Sequence, residues 1–155
     1  MFKLKGGQFV FDEDTMIKHD PVTSFKSLWS GEHAAIDIYR ACMERLSDEH
    51  LSSASLCHQL HVQNSKILAK RIQALKDTPE VDLGHRLLEL AGTLAAAAPE
   101  VAICAILAKI ESELLSEYMD SLSTFENENL DLLQNAILPN QHKCFDAWAA
   151  ERPAA

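Results

Sequence analysis

Four residues of metal-ligating type stand where an apolar side chain belongs. Glu32 falls inside a helical stripe between Trp29 and Ala35-Ile36, and is the one charged residue on it. Glu111 lies seven residues after Cys104 and seven before Tyr118, flanked by Leu107 and Leu114-Leu115. His61 precedes Leu68 by seven residues and Ile72 by eleven, with His58 one turn earlier, and His142 stands three residues before Phe145 and six before Trp148. A lone carboxylate in an apolar interior is costly and must neutralise or find a partner. Two Glu and two His meeting in one layer would make either a buried hydrogen-bond network or a site for a divalent first-row ion, iron above all. His58 is the substitute ligand if its helix is rotated. No nucleotide cofactor is expected, because the chain has no G-x-G-x-x-G or P-loop, and it also lacks a G-x-S-x-G elbow.

The elements that would bring these residues together are helical. Apolar residues recur three and four apart from Phe25 through Leu28, Trp29, Ile36, Tyr39 and Cys42 to Leu46, predicting helix A from about Ser24. Helix B is expected over 49–76, ended by Asp77-Thr78-Pro79; a short crossover helix over 82–97; helix C from Pro99 through Leu122; and helix D over 126–150, kinked at Pro139. Each of the four polar residues lies within about one turn of the middle of its helix, so an up-down arrangement puts them at one level. Short A–B and C–D loops with a long B–C connection predict an all-α, ferritin-like four-helix bundle over residues 24–155. Residues 1–23 form an extension, with a possible hairpin around Gly6-Gly7.

Composition narrows the class. The chain has 155 residues, 47% of them hydrophobic, which suffices for one domain with a real core and excludes a disordered protein. With 23 acidic against 14 basic residues and a net charge of −9, no cationic face is available for nucleic acid. Only five Gly and five Pro leave little room for a β-rich fold. The first residues hold no apolar signal segment, and four scattered cysteines form no C-x-x-C pair, which predicts a reduced, cytoplasmic protein. Leu90–Ala108 is the one membrane candidate, but it carries Pro99 and Glu100 and is rich in alanine, so a buried crossover is expected, with contact at a membrane surface left open. His19, His33 and His50 read as solvated; Cys42, Cys57 and Cys104 read as packing residues. His85 and Glu89 have one hemerythrin-type spacing, but no H-x-x-x-H accompanies it.

The run Ser30-Gly-Glu-His-Ala-Ala-Ile-Asp-Ile-Tyr-Arg-Ala-Cys-Met43 resembles the first helix of the demethoxyubiquinone hydroxylase family, whose Glu at the place of Glu32 is an iron ligand. Gly92–Tyr118 is similar to that family's crossover and third helix, with Glu111 at the ligand position. Leu56–Leu75, Glu111–Tyr118 and the His142 region also resemble bacterial ferritin-like domains of unassigned function. The resemblance covers about residues 25–150 and implies the superfamily, a core metal and a homodimer. It departs from the di-iron pattern of one Glu on helices A and C and Glu-x-x-His on helices B and D. Here helix B offers His58-x-x-His61 and helix D Pro139-x-x-His142, so both second carboxylates are missing. Two divalent ions cannot be balanced by two carboxylates in a low-dielectric core, whereas one ion held by Glu32, Glu111, His61 and His142 is neutral overall. The expectation is therefore a single metal ion, with redox or oxygen-dependent chemistry as the first class to test. The alternative is a degenerate ferritin-like scaffold that acts through protein–protein contacts.

Overall fold

The computed structural model describes residues 20–151 and the backbone of two short strands, β1 (Phe2–Lys5) and β2 (Gln8–Phe11). The strands pair antiparallel, Phe2 opposite Phe11 and Lys5 opposite Gln8. The expected turn at Gly6-Gly7, the loop that follows β2, and His19 lie outside the described residues.

All else with regular structure among the described residues is helical. α1 spans Pro21–Met43, three residues earlier than the apolar spacing suggests, because Asp20 caps it by accepting from the Val22 N–H (3.2 Å) and Pro21 occupies the first turn. α2 spans Asp48–Ala74 and ends where Lys76 takes a left-handed conformation (φ 62°). The crossover helix α3 (Leu83–Ala95) starts at Asp82, whose Oδ1 accepts from the His85 N–H at 2.9 Å. α4 spans Glu100–Ser121. The last helical stretch is continuous but not uniform: α5 (Asn127–Leu132), a wide π-turn (Leu133–Ile137), then α6 (Leu138–Ala147). Pro139 explains the wide turn. It has no N–H to donate and its ring crowds the carbonyl four residues back, so the helix loosens and the Leu138 N–H reaches Leu133, five residues away. No helix among the described residues is long and apolar enough to cross a membrane.

α1 packs on α2 and α4, and α6 packs on the same two, so four helices enclose one interior. That interior is divided. One apolar half gathers Ile38, Cys42, Leu60, Ile103, Leu107 and Trp148; the other gathers Phe25, Leu68, Ile72, Leu133 and Ile137. Phe25 and Phe125 stack in the second half with ring centroids 4.4 Å apart. Between the halves lies a layer of fully buried polar residues: Glu32, His61, Asn64, Glu111 and Gln141.

Two glycines set how closely the helices approach. At Gly31, an added Cβ would stand 3.0 Å from Leu114 Cδ2 and 3.2 Å from His85 Nε2. Gly92 brings α3 onto α1 more tightly, since a Cβ there would fall 2.5 Å from Ile38 Cγ1 and 2.9 Å from its Cδ1. Ile38 is fully buried and cannot yield. Gly92→Ala is therefore expected to destabilise the protein by about 1–3 kcal/mol through overpacking, despite the better helix propensity of alanine. A urea unfolding midpoint equal to or above wild type would contradict that packing.

Candidate metal centre

Each of the four enclosing helices contributes to the polar layer. α1 supplies Glu32, α2 supplies His61 and Asn64, α4 supplies Glu111, and α6 supplies Gln141 and Cys144, all without solvent exposure. His61 stands between the two carboxylates, with Nδ1 2.5 Å from Glu32 Oε2 and Nε2 2.6 Å from Glu111 Oε1. Separations this short belong to charge-assisted hydrogen bonds. Burial opposes charge on the imidazole, but the carboxylates of Glu111 and Glu32 outweigh it and hold the His61 pKa well above 6.5.

The carboxylates are supported from behind. Tyr118 donates its hydroxyl to Glu32 Oε1, and Asn64 Nδ2 donates to the same oxygen at 3.2 Å. Asn140 Nδ2 in turn donates to Asn64 Oδ1 at 3.0 Å. Tyr39 donates to Glu111 Oε1 at 3.0 Å, and Trp148 Nε1 donates to the Tyr39 oxygen at 2.7 Å. Burial first, and then the neighbouring carboxylate, push both phenols well above their ordinary pKa, so both remain donors at neutral pH.

Gln141 completes the layer and leaves one group unmatched. Its Nε2 donates to Glu111 Oε2 at 2.9 Å and to the Glu111 backbone carbonyl at 3.3 Å, which fixes the orientation of the amide: a flipped amide would turn oxygen against oxygen. Its Oε1 is buried with no hydrogen-bond partner. Buried acceptors without donors are rare, and a bound water or ion is among the things that satisfy them. Beside it, donor atoms of His61, Glu111 and Cys144 all lie within 4.8 Å of one another. Cys144 is in contact with Cys57, each thiol facing the other's backbone carbonyl at 4.0 and 3.9 Å. That neighbour first, and burial second, push the Cys144 thiol far up, so it becomes a thiolate only if a cation replaces its proton.

Of the residues the sequence singles out, Glu32, His61 and Glu111 meet as expected. His142 does not. It is exposed on the outer face of α6, and Gln141 takes its place, because the inward face beyond the wide turn runs through Gln141, Cys144 and Trp148 rather than His142 and Phe145. His58 also stays out of the layer. It is only half-buried, and the residue paired with His61 is Asn64, three positions later rather than three earlier. The signal for these partners was present in the sequence: His61-x-x-Asn64 and Gln141-x-x-Cys144 are matched i, i+3 pairs of polar or sulfur side chains on otherwise apolar faces.

No protein-family model, curated protein or solved structure matches the chain. The site must therefore be judged on its own chemistry. An imidazole nitrogen, a carboxylate and a thiol with a free amide oxygen nearby suit one borderline divalent ion. They do not suit a pair of ions, because the layer holds only two carboxylates and Glu32 is occupied with Tyr118, Asn64 and His61.

Proposed function

We propose that this protein is a metal-binding bundle of ferritin-like topology that holds one first-row divalent ion in its core, of the iron–zinc class. Its ligands are His61 Nε2, the Glu111 carboxylate and the Cys144 thiolate, with the Gln141 amide bonded to Glu111 in the same layer. Glu32 is then an orienting group rather than a ligand. It accepts from the Nδ1–H of His61, fixes the tautomer and leaves Nε2 for the ion, the usual carboxylate–histidine–metal arrangement. The observation that carries this reading is the unpartnered oxygen of Gln141 beside three converging donors of three chemical types. A divalent ion is matched by the charges of Glu111 and Cys144, and it ties α2, α4 and α6 together. The donors are fully buried, which favours retention of an ion over turnover of a large substrate.

A second reading has its own support. With both ring nitrogens of His61 within 2.6 Å of carboxylate oxygens, the layer is hydrogen-bonded without any ion, as a scaffold acting through its surface would need. Metal analysis by plasma mass spectrometry separates the two. Untagged protein grown with added iron and zinc is expected to carry an equivalent that is absent from Glu32→Ala/Glu111→Ala and from Cys144→Ser. Equal metal content in wild type and both variants, with the variants folded, would leave the scaffold reading.

A further inference from the structure

A second group of donors lies at the end of the bundle, separate from the core layer. Atoms of His50, Cys104 and Glu151 stand within 4.8 Å of one another. They come from the first turn of α2, from α4, and from a 3-10 turn at Ala149–Glu151 near the end of the described chain. Nothing in the residue spacing joins them, since His50 reads as solvated and Cys104 as a packing residue. In the structure His50 is 21% exposed and Glu151 28%, while Cys104 is fully buried beneath them.

The imidazole is already oriented. His50 Nδ1 is 2.8 Å from Glu100 Oε1, and Glu100 is itself fixed by the Ser47 N–H (2.7 Å) and the Ser47 hydroxyl (2.6 Å). Held in this way, Glu100 accepts from the Nδ1–H of His50 and leaves Nε2 for a ligand. His50 Nε2 then faces Glu151 Oε1 at 3.2 Å, close to the spacing of about 3.3 Å between nitrogen and oxygen ligands on one tetrahedral ion.

We propose that His50 Nε2, Cys104 Sγ and a Glu151 carboxylate oxygen form a zinc-type site that clips the C-terminal turn to α2 and α4, with Glu100 as the positioning carboxylate. Nitrogen, thiolate and carboxylate together select a borderline ion such as Zn²⁺. Binding displaces the thiol proton of Cys104 and any proton on His50 Nε2. The ion, one thiolate and one carboxylate then sum to zero charge. Proton release therefore accompanies metal uptake. The partial exposure of His50 and Glu151 gives the ion a way in.

The test is titration of Co²⁺ into the full-length, chelator-stripped protein. It reads the thiolate-to-cobalt charge-transfer band and the quenching of Trp148, whose ring lies 6.3 Å from that of His50. Cys144→Ser isolates this site from the core centre and is expected to retain both signals. In the Cys144→Ser background, Cys104→Ser is expected to abolish the band, and Glu151→Gln and Glu100→Gln to weaken binding at least about tenfold. Zn²⁺ added afterwards is expected to bleach the band. If Cys104→Ser fails to fold by circular dichroism, the partly exposed Glu151→Gln decides. A folded Cys144→Ser protein with no thiolate band, or a band indifferent to Glu151→Gln, would overturn the site whatever the core holds.

Discussion

Glu111→Ala is expected to lower the stability of the metal-free protein by about 3–5 kcal/mol, the cost of breaking a buried charged network by removing one partner. Three donors converge on the Glu111 side chain: His61 Nε2, the Tyr39 hydroxyl and Gln141 Nε2. Alanine leaves His61 Nε2 and the Tyr39 hydroxyl buried and unpaired, leaves Gln141 Nε2 only the backbone carbonyl of residue 111, and opens a cavity between the two apolar halves of the core. Each orphaned donor costs about 1–3 kcal/mol before relaxation. A domain of this size has about 5–15 kcal/mol in total, so the variant should sit near the edge of folding. Glu111→Gln keeps the volume and one acceptor oxygen and should cost less. Urea unfolding with a chelator present checks the order. A Glu111→Ala midpoint within about 1 kcal/mol of wild type would mean that the layer does not hold the helices together.

Alkaline pH should expose the second large effect, and metal should remove it. His61 is more basic in the folded protein than in the unfolded chain, where its pKa is near 6.5, because the pull of Glu111 and Glu32 exceeds the penalty of burial. Its contribution is therefore complete below pH 6.5 and is lost as pH rises through the higher folded value. The metal-free protein should lose stability over that range. With metal bound, the ion takes the place of the proton on Nε2, affinity rises with pH, and the loss disappears. Free metal at a thousand times its dissociation constant adds about 4 kcal/mol, so the gap between metal-loaded and chelated protein should widen steadily with pH. Parallel melting curves of the two forms across that range would contradict the exchange of proton for metal at His61.

The helices were legible because their apolar spacing is regular, and Glu32, His61 and Glu111 were legible because each interrupts that spacing near a helix centre. The error at His142 has a local cause. Sequence periodicity assumes about 100° per residue, while the wide turn forced by Pro139 advances less and leaves Gln141 facing inward. Asn64, Gln141 and Cys144 are harder to assign to the layer for a different reason: each is neutral, so none disturbs an apolar stripe as a carboxylate does. The group at His50 joins residues about 50 positions apart in sequence, with Glu151 further still, and nothing in local spacing announces it. The start of α1 was missed because the cap at Asp20 and Pro21 adds a turn before the apolar pattern begins.

X-ray absorption at the metal edge reads directly which atoms hold the core ion. The sample is metal-loaded protein carrying His50→Gln and Glu151→Gln, which leaves only the core donors. A first shell with one sulfur at about 2.3 Å and nitrogen and oxygen donors near 2.0–2.2 Å, its sulfur lost on Cys144→Ser, is the predicted result. A shell of oxygen and nitrogen alone, or no retained metal in the folded protein, would contradict the assignment and return the buried layer to a hydrogen-bonded scaffold.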